Sequence, residues 1–317
     1  MRALGDALAR VARATPFERA IASALTNRPA RVAANERART RSASSSRRNL
    51  EGVCDRRRTN SSRAMSSTTW DASQSQLDFM KNDRVILVSE RDEIQGSESK
   101  ENAHRFISES PRGALHRAFS VFLFDCDNRL LLQQRAGNKI TFPSVWTNTC
   151  CSHQLTGQDP DETDDPAAIA SGRCLGAKRA ATRKLKHELG IEAEDVPTES
   201  IKFLTRLHYC AADEFAENEN QPEGGTWGEH EMDYILFAKI NRGGESLPMN
   251  VNAEEIDDTK WVSASELKAM MDPGSGLRWS PWFRIIAERF LHEWWADLDA
   301  ALTSDKYVDV NTIHKVM

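Results

Sequence analysis

The run over 115–124 alternates and then becomes continuously apolar, closing on Ala118-Phe-Ser-Val-Phe-Leu-Phe124, and Arg129-Leu-Leu-Leu-Gln-Gln-Arg135 resumes after Asp125-Cys-Asp-Asn128. Two apolar runs about an Asp/Asn turn predict a β-hairpin, which commits the chain to a sheet. Arg84-Val-Ile-Leu-Val-Ser89 reads as another strand, followed by a polar turn into Ser97-Glu-Ser-Lys-Glu-Asn-Ala-His104. More strands are expected over 201–209, over 232–240 and ending in Trp261-Val262. Helical spacing enters over 177–190, where Ala180, Ala181, Leu185 and Leu189 mark a buried stripe and Gly190 a C-terminal stop. Ser263-Ala-Ser-Glu266 is a capping-box pattern for a short helix through Met271. Ser280-Pro-Trp-Phe opens a longer helix, with Ser at the cap and Pro where its missing N–H costs nothing. Along it Phe283, Ile286, Ala287, Phe290, Leu291, Trp294 and Leu298 form an amphipathic wall. Strands interspersed with a few helices predict an α/β sandwich with a mixed sheet. Two acidic stretches, 155–175 and 211–225, read as loops, the first as a solvated insertion.

Charge divides the chain more sharply than its net of -5 suggests. Residues 1–70 hold fifteen Arg, no Lys and five acids; the remainder holds 27 basic and 42 acidic residues. An Arg-, Ser- and Ala-rich, acid-poor segment such as Arg37-Ala-Arg-Thr-Arg-Ser-Ala-Ser-Ser-Ser-Arg-Arg48 suits a disordered organelle transit peptide, preceding a folded domain over 71–317. A basic arm for nucleic acid or membrane is the alternative. Against it, Phe17 is the only aromatic residue before Trp70, and stacking on bases wants aromatics among the arginines. The expected address is the plastid, with the mitochondrion as the alternative. The acidic body argues against phosphate-backbone binding, and no apolar run approaches the roughly 18 residues of a membrane span. Six cysteines show no disulfide or zinc-ribbon spacing, so most read as reduced, with the adjacent pair Cys150 and Cys151 set apart.

The chemistry gathers at two short stretches. In Thr147-Asn-Thr-Cys-Cys-Ser-His153, an extended backbone puts Cys151 and His153 on one face and Cys150 and Ser152 on the other. In Trp227-Gly-Glu-His-Glu231, Glu229 and Glu231 share a face and His230 points away. Brought together, the two would surround one cavity with a thiol, an imidazole and two carboxylates.

Arg183-Lys-Leu-Lys-His-Glu-Leu-Gly-Ile191 resembles the end of the Nudix box, Arg-Glu-aliphatic-x-Glu-Glu-x-Gly-aliphatic, which carries carboxylates for divalent cations. Arg183, Leu185, Glu188, Gly190 and Ile191 fit, but Lys184 and His187 replace two acids, so the scaffold looks retained and hydrolysis disabled. Together with 118–124, 130–135, 147–153, 227–231 and 280–283, in that order along the chain, this pattern closely resembles the type I isopentenyl-diphosphate Δ-isomerases from about Gln76 onward.

The resemblance implies a Nudix-like fold and interconversion of isopentenyl and dimethylallyl diphosphate through a tertiary carbocation, in a dry site with acid and base on opposite sides. It implies Cys151 and Glu231 as those two groups, assisted by Tyr209, with the indole face of Trp282 against the cationic carbon. His104, His116, His153, Glu229 and Glu231 match the family's metal set, whose mixture of nitrogen and oxygen suits Zn²⁺ or Mn²⁺. Lys100, Arg135 and Lys139 match diphosphate-binding positions, and Glu188 with the main-chain carbonyl of Cys151 matches a Mg²⁺ site; the plain alternative for Glu188 is a helix-surface pair with Lys184. The implied partner is a small prenyl diphosphate, without nucleic acid or membrane, on a monomer or weak dimer. A Nudix pyrophosphohydrolase and a catalytically dead binding module are the competing readings; Lys184 and His187 count against the first, the filled acid/base positions against the second.

Overall fold

The computed structural model describes residues 76–217 and 220–316. The leader expected over 1–70 and the first residues of the 71–317 domain lie outside the described residues. Helix α1 (Gln76–Asn82) precedes strand β1 (Arg84–Val88). The polar segment that follows, expected to be no more than a turn, pairs back: β2 (Ile94–Ser99) runs antiparallel to β1 from Arg84↔Ser99. The reversal is closed by a bond from Asp92 N–H to the Ser89 carbonyl, with Asp92 at a left-handed φ of 64°. Ser99 then caps α2 (Lys100–His104) by accepting from the Asn102 N–H. The gap to His116 contains β3 (Arg105–Ile107).

β4 (His116–Phe124) is buried along its whole length. Phe119, Val121 and Leu123 enter one apolar layer; Phe122 and Phe124 enter the other. Burial on both faces is why alternation gives way to continuous apolar character in this run. The predicted hairpin to β5 (Leu130–Arg135) forms only at its closed end, Phe124↔Leu130, around a turn in which Asp125 Oδ1 accepts from the N–H groups of Asp127 and Arg129. Beyond that point β6 (Trp146–Thr147) pairs with β5, and β7 (Cys150–His153) pairs with β4.

The segment 155–175 is largely solvated, as expected, but it is not loop throughout and not all of its acids face water. Asp165 caps α3 (Pro166–Ala170), while Glu162 and Asp164 are buried. The Asp164 carboxylate accepts from Gly176 and Ala177 N–H, each at 2.8 Å, at the start of α4 (Leu175–Lys184), where the helix presents unpaired donors and positive potential. Glu162 holds the Arg183 guanidinium near the other end. These acids answer local cations and N–H groups, which composition cannot distinguish from charge facing water. α4 passes through a π-helical turn (Leu185–Leu189) to Gly190 at φ 65°, with Ala180, Ala181, Leu185 and Leu189 buried as the spacing predicts.

β8 (Lys202–Ala212) ends three residues past the expected 201–209, and β9 (Gly225–Lys239) joins the extended stretch 227–231 and the expected strand 232–240 into one. β10 (Ile256–Val262) leads into α5 (Ala264–Met270), with the capping box at Ser263 and Glu266 in place. α6 (Pro281–Ile286) continues through a second π-helical turn (Ala287–Leu291) into α7 (His292–Ala296), and α8 (Leu298–Thr303) and β11 (Ile313–Lys315) follow. Ser280 occupies the cap position, but its hydroxyl bonds Thr147 Oγ1 at 2.8 Å instead of a helix N–H, correcting the expected cap.

The sheet order is β10-β5-β4-β9-β8-β11, parallel at β4–β9 and β8–β11 and antiparallel at the other pairs along that path. Ala177, Ala180 and Leu185 cover one face; Trp282, Phe283, Ile286 and Trp294 cover the other, giving the mixed-sheet α/β sandwich. Among the described residues no helix is long and apolar enough to cross a membrane.

Candidate active site and metal centre

β7 divides its residues by parity. Cys150 packs into the layer under α4, while Cys151 packs against the opposite layer and, with His153, lines a cavity holding about 370 Å³ of empty space, its open mouth included. Ser152, expected on the far face with Cys150, borders the cavity as well; among the described strands β7 pairs only with β4, so its free main-chain edge can reach the wall. On β9, Glu229 and Glu231 point to the same side as Cys151, and His230 points away to meet His208 with their Nε2 atoms 3.0 Å apart. The parallel register His116↔Glu231 and the antiparallel register Ala118↔His153 bring residues distant in sequence to one end of the sheet.

Five buried side chains converge there. The nearest ligand atoms of His104, His116, His153, Glu229 and Glu231 all lie within 4.8 Å of one another. His104 Nδ1 sits 2.6 Å from the Lys100 carbonyl and His116 Nδ1 2.7 Å from that of Ala114, so each ring donates there and turns a bare Nε2 inward. His104 Nε2 is 2.7 Å from Glu229 Oε2, and His153 Nε2 is 2.8 Å from Glu231 Oε1. Burial pushes the pKa of all three imidazoles down, toward the neutral form that binds metals. A neutral His104 that donates to Lys100 would set a lone pair against a carboxylate oxygen, so the contact calls for positive charge there, a proton on the ring or a cation between. His104 Nε2, His116 Nε2 and Glu229 Oε2 are buried without a hydrogen-bond partner, which also fits a cation-binding centre.

The two carboxylates differ. Burial pushes both up, yet the His104 and His153 rings hold Glu229 well below the usual range, whereas burial and the adjacent Glu229 carry Glu231 well above it. The Tyr209 hydroxyl donates to Glu231 Oε2 in a short hydrogen bond. Burial also pushes the Cys151 thiol up to about 12, against the pull of Arg135, so it is protonated across the neutral range.

Lys100, Arg135 and Lys139 line the same cavity as Cys151, Tyr209, Glu229, Glu231 and Trp282. The Arg135 guanidinium is held by the carbonyls of Phe142 at 2.9 Å and Thr141 at 2.8 Å and lies 5.7 Å from the Trp282 ring centroid. Lys139 pairs with Glu255, which Lys184 also approaches at 3.8 Å. Two cations share that carboxylate, so burial leaves Lys139 the less compensated and lowers it to about 8, while Glu255 stays well below its usual range.

Glu188 does not join the cavity wall. It is buried behind it, Oε1 3.0 Å from Lys184 and Oε2 accepting from Gln133 at 3.1 Å, so the pair with Lys184 exists but is buried, not on the helix surface. Sequence reasoning missed Thr141, Glu255 and Asp213. Asp213 Oδ2 accepts from the Phe142 N–H at 2.6 Å and steadies a loop in which Phe142 takes a left-handed φ of 48°. Nothing in the sequence marks Asp213 out from the other acids of 211–225.

A family model described as NUDIX domain matches residues 175–283. An isopentenyl-diphosphate delta-isomerase from Aspergillus fumigatus is 47% identical over 239 residues, covering 73% of this chain and 77% of the relative. One from Schizosaccharomyces pombe is 44% identical over 232 residues, covering 73% and 91% respectively. The isopentenyl-diphosphate Delta-isomerase 1, chloroplastic, of Cannabis sativa is 40% identical over 262 residues, covering 80% and 83%.

Proposed function

Because the chain belongs to the isopentenyl-diphosphate delta-isomerase family, we infer that it interconverts isopentenyl and dimethylallyl diphosphate. The observation that carries this reading is one cavity holding a buried thiol, a carboxylate on a ring of metal-ligating side chains, and three basic side chains. The reaction needs each of these. A proton goes to the terminal alkene carbon, generating a tertiary cation, and another leaves the methylene next to the carbon bearing the diphosphate; no electrons are gained or lost.

Cys151 and Glu231 are the two proton-transferring groups. The thiol is neutral at physiological pH, and the Glu231 carboxyl is oriented by Tyr209 and His153. Every proton one group gives is matched by one the other takes, so the pair ends a turnover with its protonation exchanged. Lys100, Arg135 and Lys139 neutralise the diphosphate, with Arg135 fixed by the 141–142 carbonyls. Trp282 and Tyr209 exclude water that would capture the cation.

His104, His116, His153, Glu229 and Glu231 would hold a divalent metal, and their mixed donors favour Zn²⁺ or Mn²⁺. When bound, such an ion fixes the carboxylates and tunes their acidity. A Mg²⁺ held by Glu188 and the Cys151 carbonyl would have to arrive with the diphosphate and displace Lys184, because Lys184 and Gln133 already engage both Glu188 oxygens. The same Lys184 ammonium weighs against the pyrophosphohydrolase reading, since it fills carboxylate ligands that metal-dependent hydrolysis requires. The basic segment 1–70 is read as a plastid transit peptide, supported by its composition and by plant relatives named chloroplastic. The function is tested by incubating the purified chain with isopentenyl diphosphate and following the products by proton NMR. Dimethylallyl diphosphate is expected; release of nucleoside monophosphate from dinucleotides with no isomer formed would instead favour the hydrolase.

A further inference from the structure

Asn148, between β6 and β7, is fully buried and its side chain is completely engaged. Nδ2 donates to the carbonyls of Val121 at 3.1 Å and Cys150 at 2.8 Å; Oδ1 accepts from Trp282 Nε1–H at 3.2 Å and from Thr147 Oγ1 at 2.9 Å. Both amide hydrogens and both oxygen lone pairs are used, and a flipped amide would oppose like groups at the Val121, Cys150 and Trp282 contacts, so one orientation is fixed. Thr147 Oγ1 is in turn 2.8 Å from Ser280 Oγ, at the start of the helix that carries Trp282. Hydroxyl, amide and indole thus close a ring through the first turn of α6.

These bonds join two walls of the cavity. The Cys150 carbonyl carbon is bonded to the nitrogen of Cys151, and Trp282 lines the cavity with its ring packed against those of Phe142 and Tyr209, centroids 5.2 and 6.3 Å away. An aromatic ring attracts a cation through its face and not its edge. An indole with its N–H free to swing presents that face only part of the time.

We infer that Asn148 is a positioning residue, which holds the Trp282 indole face toward the transient tertiary cation and sets it in register with Cys151. The inference rests on the isomerase reading. It predicts a loss in the chemical step and not in substrate capture, because the substrate, whose prenyl chain is uncharged, is held through its diphosphate by Lys100, Arg135 and Lys139.

The test uses the full chain carrying Asn148→Ala and Trp282→Phe, singly and together. Rates are measured on isopentenyl diphosphate, and affinities for a tertiary-ammonium diphosphate, charged where the cation forms, and for neutral dimethylallyl diphosphate. Asn148→Ala is expected to lower kcat about tenfold or more with KM changed by less than about twofold, and to weaken the ammonium ligand but not the neutral one. In the Trp282→Phe background, where no N–H remains to hold, the added loss falls below about twofold. Equal losses in both backgrounds, or equal weakening of both ligands, overturn the inference. Should the alanine variant fail to fold, Thr147→Val removes one bond to the same Oδ1 and is read in the same two backgrounds, with a several-fold loss expected only where the indole is present. A wild-type chain without isomerase turnover removes the isomerase reading and this inference with it; wild-type turnover with additive losses removes the inference alone.

Discussion

At the scale of single residues, the proposal turns on which way a side chain faces. Cys151→Ala is expected to abolish turnover while diphosphate binding persists, since Lys100, Arg135 and Lys139 are untouched. Cys150→Ala empties a buried core position and costs about 1 kcal/mol of stability, with turnover within a few-fold of wild type. Equal loss of turnover in both variants, measured beside their melting temperatures, would refute the parity assignment. Lys139 gives a pH prediction. Its folded pKa of about 8 means that the cation is present below that pH and lost above it, so KM for the diphosphate should rise above about pH 8, and Lys139→Met should remove that limb. The sign for stability is the opposite of the usual lysine: between about 8 and about 10.4 the unfolded chain binds the proton the folded chain has released, so this group's contribution to stability increases with pH. Strand periodicity made the facing of Cys151, His153, Glu229 and Glu231 legible in advance. The Asn148 amide was not, because hydrogen-bond saturation depends on four partners from positions as distant as Val121 and Trp282.

At the scale of elements, the continuous run 118–124, the 177–190 stripe and the Ser263 capping box carry enough local signal to be read directly. The joining of 227–231 and 232–240 into the single strand β9 does not, because the polar residues of its first half face a site and not a core, so hydrophobic alternation does not run through it. The segment 155–175 is largely solvated as read, and departs from that reading at Glu162 and Asp164, acidic by composition but buried against the cations and N–H groups they meet. Gly190 tests the element that carries Glu188. Its φ is 65°, and a Cβ there would come within 2.6 Å of Asn250 N. Gly190→Ala should cost on the order of 1–3 kcal/mol and lower the melting temperature by several degrees, read by calorimetry; an unchanged melt would show that the turn relaxes freely.

For the whole molecule, the order of the motifs along the chain was the most informative feature, since each alone is compatible with ordinary packing or surface charge. What remained hidden was how β4, paired with both β9 and β7, gathers His116, His153, Glu229 and Glu231 at one end of the sheet. Chelation should abolish turnover and lower the melting temperature together, because the five ligands come from β4, β7, β9 and the end of α2. Retention of full activity by protein shown to be metal-free by elemental analysis would count against the metal centre. Deletion through Ser67 should preserve turnover in vitro and leave the protein in the cytosol; unchanged organelle import would place the signal elsewhere. The most direct measurement is proton NMR of isopentenyl diphosphate turned over in heavy water. Two separate groups on opposite sides of the substrate require that the proton added is not the proton removed, so deuterium should enter a methyl group of dimethylallyl diphosphate, and neither deuterium nor product should appear with Cys151→Ala or Glu231→Gln. Conversion by the wild-type chain with no solvent deuterium in the product would contradict it.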